Sequence, residues 1–100
     1  MSSIKTEPKA HLLLMVDGEP TGDEFEIGDE TVIGRMNGDI TFQHDDYMSG
    51  RHARIARRAG KYFLTDENSR NGSFIRIKEE VEIKTGDFIL LGKQLFRFKA

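Results

Sequence analysis

A chain of 100 residues with a net charge of -2, a pI near 5.9 and no cysteine is one domain of ordinary size, able to bury roughly two-thirds of its unfolded surface without covalent staples. The missing cysteines exclude disulfides and finger-type zinc and suit a reducing, cytoplasmic setting. The balanced charge gives the molecule as a whole no pull toward nucleic acid or anionic lipid, and the apolar run Leu12 to Val16 is only five residues long, so neither a secretion leader nor a membrane span is expected.

Met1 to Lys9 is polar, contains Pro8 and has no periodicity. Residues 1–10 therefore read as a flexible tail and 11–100 as the folded domain. From His11 onward, short apolar clusters bounded by Gly, Asn or Asp follow one another: LLLMV, FEI, TVI, ITF, ARIA, YFLT, SFIRI, VEI, DFILL and QLFRF. They predict about ten short strands. No eleven-residue window keeps an apolar i, i+3, i+4, i+7 stripe without a glycine, so the fold is expected to be all-β. Gly60 between HARIAR and KYF marks a hairpin, and Asn37-Gly38 and Asn71-Gly72 mark turns. Many short strands with Gly-rich turns mean a sandwich or a barrel, and periodicity does not choose between them.

Charge is segregated along the chain. Asp17, Glu19, Asp23, Glu24, Glu26, Asp29 and Glu30 fall in a stretch without Lys or Arg, and Arg51, Arg54, Arg57, Arg58 and Lys61 in one without acids. Such segregation can build one basic patch, although solvated strand faces are the commoner result. Single-stranded nucleic acid on a β-barrel is one reading of RHARIARR, but Tyr62 and Phe63, the rings beside it, look like core as much as stacking platforms.

The densest polar cluster is YMSGRHARI, residues 47–55. Ser49, His52, Asp45 and Asp46 have the residue types of a catalytic triad but no nucleophile elbow, and triads are assembled from separate segments. His44, Asp45 and Asp46 lack metal-ligand spacing and read as a solvated loop. Asn71-Gly72-Ser73 is formally a glycosylation acceptor, without meaning in the absence of a leader. A third possibility is a convergence of loops: Arg35 after a glycine, the Ser49 hydroxyl with the Gly50 N–H and the Arg51 guanidinium, and the Asn71 amide. Donors without a carboxylate among them suit a phosphate dianion.

Gly-Arg, then Ser-x-x-His with its serine fourteen residues after the arginine, then Asn-Gly-Ser nineteen after the histidine, together resemble a forkhead-associated (FHA) domain over residues 11–98. The resemblance implies an eleven-strand β-sandwich whose loops at one end bind phosphothreonine in a partner protein: a signalling adaptor without catalysis, cofactor or metal, reading the product of a Ser/Thr kinase. By position, Arg35 resembles the phosphate-binding arginine, Ser49 the hydroxyl donor and Arg51 a further phosphate contact, with Gly50 able to offer its N–H. Asn71 and Arg70 resemble peptide contacts, His52 a scaffold histidine that fixes the loop, and Gly34 and Gly72 turn glycines. Gly50 stands where the family often has Arg or Asn, and Arg70 where it often has a small hydroxyl residue. The alternatives are a phosphate-independent protein-binding sandwich and the nucleic-acid reading. Thr6, in a kinase-accessible tail, is a candidate for self-docking once phosphorylated.

Overall fold

The computed structural model describes residues 10–67, 69, 73–74 and 80–100. In these, every regular element is a strand: β1 (Ala10–Val16), β2 (Glu19–Ile27), β3 (Glu30–Gly34), β4 (Ile40–Thr41), β5 (Ala53–Arg58), β6 (Lys61–Asp66), β7 (Ser73–Phe74), β8 (Glu80–Ile83), β9 (Phe88–Leu91) and β10 (Gln94–Lys99). Each apolar cluster of the sequence supplies one of them. β2 is longer than its FEI cluster, because the acidic residues before Phe25 continue the strand as an exposed edge beside β1. The implied eleventh strand has no counterpart among the described residues.

The strands form two five-stranded sheets, ordered β2-β1-β10-β9-β7 and β4-β3-β5-β6-β8. Alternation sends Leu12, Ile89, Leu91, Phe96 and Phe98 from the first sheet and Ile33, Ile55, Leu64 and Ile83 from the second into one core. This is a sandwich and not a barrel. Aromatic rings lock the layers: Phe25, Phe42 and Phe96 meet edge to face, with centroids 5.6 to 6.2 Å apart, and Tyr62 meets Phe98 at 5.2 Å.

The expected hairpin at Gly60 joins β5 to β6, with Ala59 and Gly60 both at positive φ, 52° and 75°. Two consecutive left-handed residues give the twist that matches paired strands. Antiparallel pairing of β3 with β5 brings the two charge blocks together: Arg54 pairs with Glu30 at 3.3 Å and Arg57 lies 3.9 Å from Asp29. Arg58 reaches Glu80 at 2.6 Å and covers the Phe63 ring. The stretch that is basic in sequence is thus matched by acids across neighbouring strands, while Tyr62 is core and Phe63 lies under an arginine.

Candidate functional site

Two segments meet where β3 ends and β5 begins. β3 and β4 run parallel although only residues 35–39 connect them. Asp39 closes this short connection, since its carboxylate accepts the Val32 N–H at 2.8 Å and its own N–H donates to the Val32 carbonyl at 2.8 Å. The loop is then zipped onto the segment before β5: Arg35 N–H donates to Ser49 O at 2.9 Å, and Met36 and Asn37 N–H both donate to Gly50 O at 3.2 and 2.8 Å. Arg35, Ser49 and Gly50 are thereby brought together, although fourteen residues separate the first two.

Gly34 makes that zipper possible. A Cβ there would collide with the Gly50 carbonyl oxygen and lie 2.7 Å from Asn37 O. Its backbone is not in the left-handed region, so close approach and not a turn accounts for the glycine, which corrects the expectation of a turn glycine. Gly50 is the opposite case. A Cβ on it would meet only the Asn37 side-chain nitrogen, at 3.7 Å, an ordinary contact.

His52 is fully buried and holds the segments from within. Its ring Nδ1 accepts the Ser49 N–H at 3.1 Å, its main-chain N–H donates to Ile33 O at 2.9 Å, and its main-chain carbonyl accepts the Glu67 N–H at 2.9 Å. The acceptor role fixes the tautomer with the proton on Nε2. Beyond β6, Ser69 donates its N–H and hydroxyl to the Asp66 carboxylate at 2.9 and 2.5 Å, a local turn at the end of the strand. Arg70, Asn71 and Gly72 lie outside the described residues, as does Thr6.

Two arginine nitrogens are buried without an acceptor among the described residues, Nε of Arg35 and Nε of Arg54. Arg54 has Glu30 at its other end, whereas no carboxylate among the described residues pairs with Arg35. An unneutralised guanidinium with a buried N–H costs free energy unless an anion completes it. Arg51 is exposed and donates through Nε to Glu67 at 3.0 Å, leaving its two terminal nitrogens to act as donors.

Asp45 overturns the solvated-loop expectation. It is 3 % exposed, while His44 and Asp46 on either side are open to solvent. Its carboxylate accepts N–H bonds from Lys93 at 2.7 Å and Tyr47 at 2.9 Å, and the Gln94 side-chain amide at 3.0 Å. Burial pushes its pKa up, but bonds from Lys93, Gln94, Tyr47 and Met48 outweigh this and hold it below the usual carboxylate value. Gly92, at φ 61°, leaves room for the carboxylate: a Cβ there would sit 2.7 Å from Oδ2. Asp45 therefore staples the Ser49 loop to the β9–β10 hairpin and is not arrayed with His52, so the triad residue types do not form a triad. Asp39 and Asp66 were open to detection as carboxylates a few residues from the N–H groups they accept. The partners of Asp45, 48 and 49 positions away, leave no local signal.

The fold is a two-layer sandwich that gathers Arg35, Ser49, Gly50 and Arg51 where β3 ends and β5 begins. The profile of the FHA domain matches residues 31–92, and the chain belongs to that family. It is similar to the FHA domain-containing protein FhaB of Mycolicibacterium smegmatis, 28% identical over 94 residues that cover 90% of this chain and 61% of FhaB. The chain thus spans about three-fifths of the length of that curated relative. Among solved structures it resembles Mycobacterium tuberculosis EmbR in complex with a low-affinity phosphopeptide (TM-score 0.79, 27% identity, 91% of this chain and 24% of EmbR). It also resembles an FHA domain of phosphothreonine-dependent interactions (TM-score 0.79, 26% identity, 93% and 97%). No helix among the described residues is long and apolar enough to cross a membrane.

Proposed function

We propose that this domain is a phosphothreonine reader: it binds a partner protein at a threonine marked by a Ser/Thr kinase and catalyses nothing itself. The observation that carries this reading is Arg35, whose buried Nε lacks an acceptor among the described residues and whose main chain is clamped to the Ser49–Gly50 segment. Arg35, Ser49, the Gly50 N–H and Arg51 are assigned to the phosphate; Arg70 and Asn71 to the peptide main chain; Gly34, His52 and Gly72 to support of the site. The phosphopeptide bound to the EmbR relative is in keeping with this assignment. Phosphothreonine and its kinases belong to the cell interior, which is where the reader is assigned.

Phosphothreonine carries nearly two negative charges at pH 7, and each hydrogen bond from a charged donor contributes about 1.5–3 kcal/mol before ordering costs. Three or four such bonds on a small interface give a Kd on the order of micromolar, about -8 kcal/mol. Burial of the threonine methyl contributes about 0.8 kcal/mol, a few-fold preference over phosphoserine. Fluorescence polarisation of matched peptide pools bearing phosphothreonine, phosphoserine or unmodified threonine tests the reading. Wild type is expected to select phosphothreonine, and Arg35→Ala to lose at least about a hundredfold in affinity, the worth of two charge-assisted bonds. Equal binding to all three pools would reassign the site to a phosphate-independent interface.

A further inference from the structure

Arg51, Arg54, Arg57 and Arg58 each have a carboxylate partner, in Glu67, Glu30, Asp29 and Glu80. Two cations beside the Ser49 segment have none among the described residues. The Arg35 loop is bonded to the later half of that segment, at Ser49 and Gly50. Lys93 stands against the earlier half, at Asp45 and Tyr47.

Lys93 is held at its main chain and at the tip of its side chain. With Gly92 it makes the two-residue turn between β9 and β10, where Leu91 and Gln94 pair. Its main-chain N–H donates to the buried Asp45 carboxylate at 2.7 Å, and its Nζ lies 4.7 Å from the centre of the Tyr47 ring. Lys93 is exposed, and so is Tyr47, by 53%. The ring attracts the cation and steadies it, which lowers the entropy lost on meeting a ligand. A ring is not a carboxylate, however, so the charge stays unneutralised and the ammonium keeps N–H donors for an outside acceptor.

Distance sets which part of a ligand would reach it. Two residues separate Tyr47 from Ser49, at most about 7 Å of chain, and the ring with its ammonium adds a comparable reach. An extended peptide advances about 3.3 Å per residue, so a phosphothreonine on Ser49 would bring a side chain two to four residues away to Lys93. We propose that Lys93 is a specificity-determining residue of the phosphothreonine site and selects peptides with Asp or Glu at that separation. The inference rests on the phosphothreonine reading and names its substrate class, an acidic phosphopeptide. Asp46, exposed beside Tyr47, opposes an incoming acid and limits the gain, and an exposed ion pair adds no more than about fivefold in affinity.

Fluorescence polarisation of the full chain tests this with three phosphothreonine peptide pools, bearing Asp and Glu, Ala, or Lys two to four residues to either side. Wild type should prefer the acidic pool over the Ala pool by about threefold and over the Lys pool by about tenfold. Lys93→Glu should invert the order, and Lys93→Gln should level the acidic and Ala pools. Lys61→Glu, the same change of charge at the far β5–β6 turn, should leave the order as it is, and about 0.5 M salt should shrink the preference. Lys93 bonds Asp45 through its main chain, so its variants keep that bond and fold, which thermal denaturation verifies. Phosphothreonine binding without preference among the pools, a preference untouched by Lys93→Glu, or one changed equally by Lys61→Glu would overturn the role of Lys93 and leave the reader standing. Binding as tight to the unphosphorylated pools would overturn both.

Discussion

Gly34 and Gly50 face each other across the same hydrogen-bond zipper and are glycine for different reasons. At Gly34 a methyl group has no room, since backbone oxygens of Gly50 and Asn37 stand where it would go. Gly34→Ala should separate the loop from the Ser49 segment, costing about 1–3 kcal/mol in stability and, because Arg35 is carried on that loop, at least tenfold in phosphopeptide affinity. At Gly50 the space is open. Gly50→Asn should fold as wild type and bind at least as tightly, since its amide adds a donor beside the phosphate position. Thermal denaturation and fluorescence polarisation on the two variants separate the cases; equal loss of binding in both would mean that Gly50 is needed for its own backbone conformation.

At the scale of elements, the β5–β6 hairpin aligns Leu64 with Ile55 and Arg57 with Tyr62 in the middle of the second sheet. Its turn places Ala59 at φ 52°, a conformation that costs an alanine on the order of 1 kcal/mol. Ala59→Asn, giving the Asn-Gly pair that favours this turn, should raise stability by about 0.5–1 kcal/mol, or roughly 2–8 °C in Tm for a domain of this size. An unchanged or lower Tm would show that the turn already relieves the strain. The ion pairs beside the hairpin are exposed, and each contributes about 0–1 kcal/mol. What they do is neutralise the basic stretch, and this removes the ground for a nucleic-acid surface there.

At the scale of the whole molecule, Asp45 is a carboxylate that fastens the two sheets to each other. Asp45 ties the Ser49 loop to the β9–β10 hairpin of the opposite sheet, so the segment proposed to bind phosphate and the sandwich closure share a fastening. Asp45→Ala should cost about 1–3 kcal/mol, because it leaves the part-buried bonds from the Lys93 N–H, the Tyr47 N–H and the Gln94 amide without an acceptor. The Asp45 pKa is depressed in the folded state. Its contribution is therefore complete above the unfolded value of about 3.9 and is lost as pH falls through the lower folded value. Phosphopeptide binding should weaken earlier, below about pH 6, where the phosphate takes its second proton. Binding and unfolding followed over pH 3–8 should thus give two separated transitions, and Asp45→Asn should flatten only the acidic one. An affinity that holds level from pH 7.5 to 5 would contradict a grip on the dianion.

The sequence by itself determined the all-β class, the places of the strands and the Gly60 hairpin. Those are local matters: apolar alternation, the absence of a helical stripe, and glycine where φ must be positive. It also determined that Gly-Arg, Ser-x-x-His and Asn-Gly-Ser occur at the spacings of one family, because each motif is contiguous in the chain. Only the tertiary structure decided between sandwich and barrel, matched the acidic block to the basic one across β3 and β5, gave Gly34 its role in close approach, and turned Asp45 from a loop acid into a buried staple. Each of these rests on contacts between residues distant along the chain. A carboxylate 48 positions from the N–H it accepts carries no mark of that bond in its sequence neighbours, since the bond exists only once both sheets have closed.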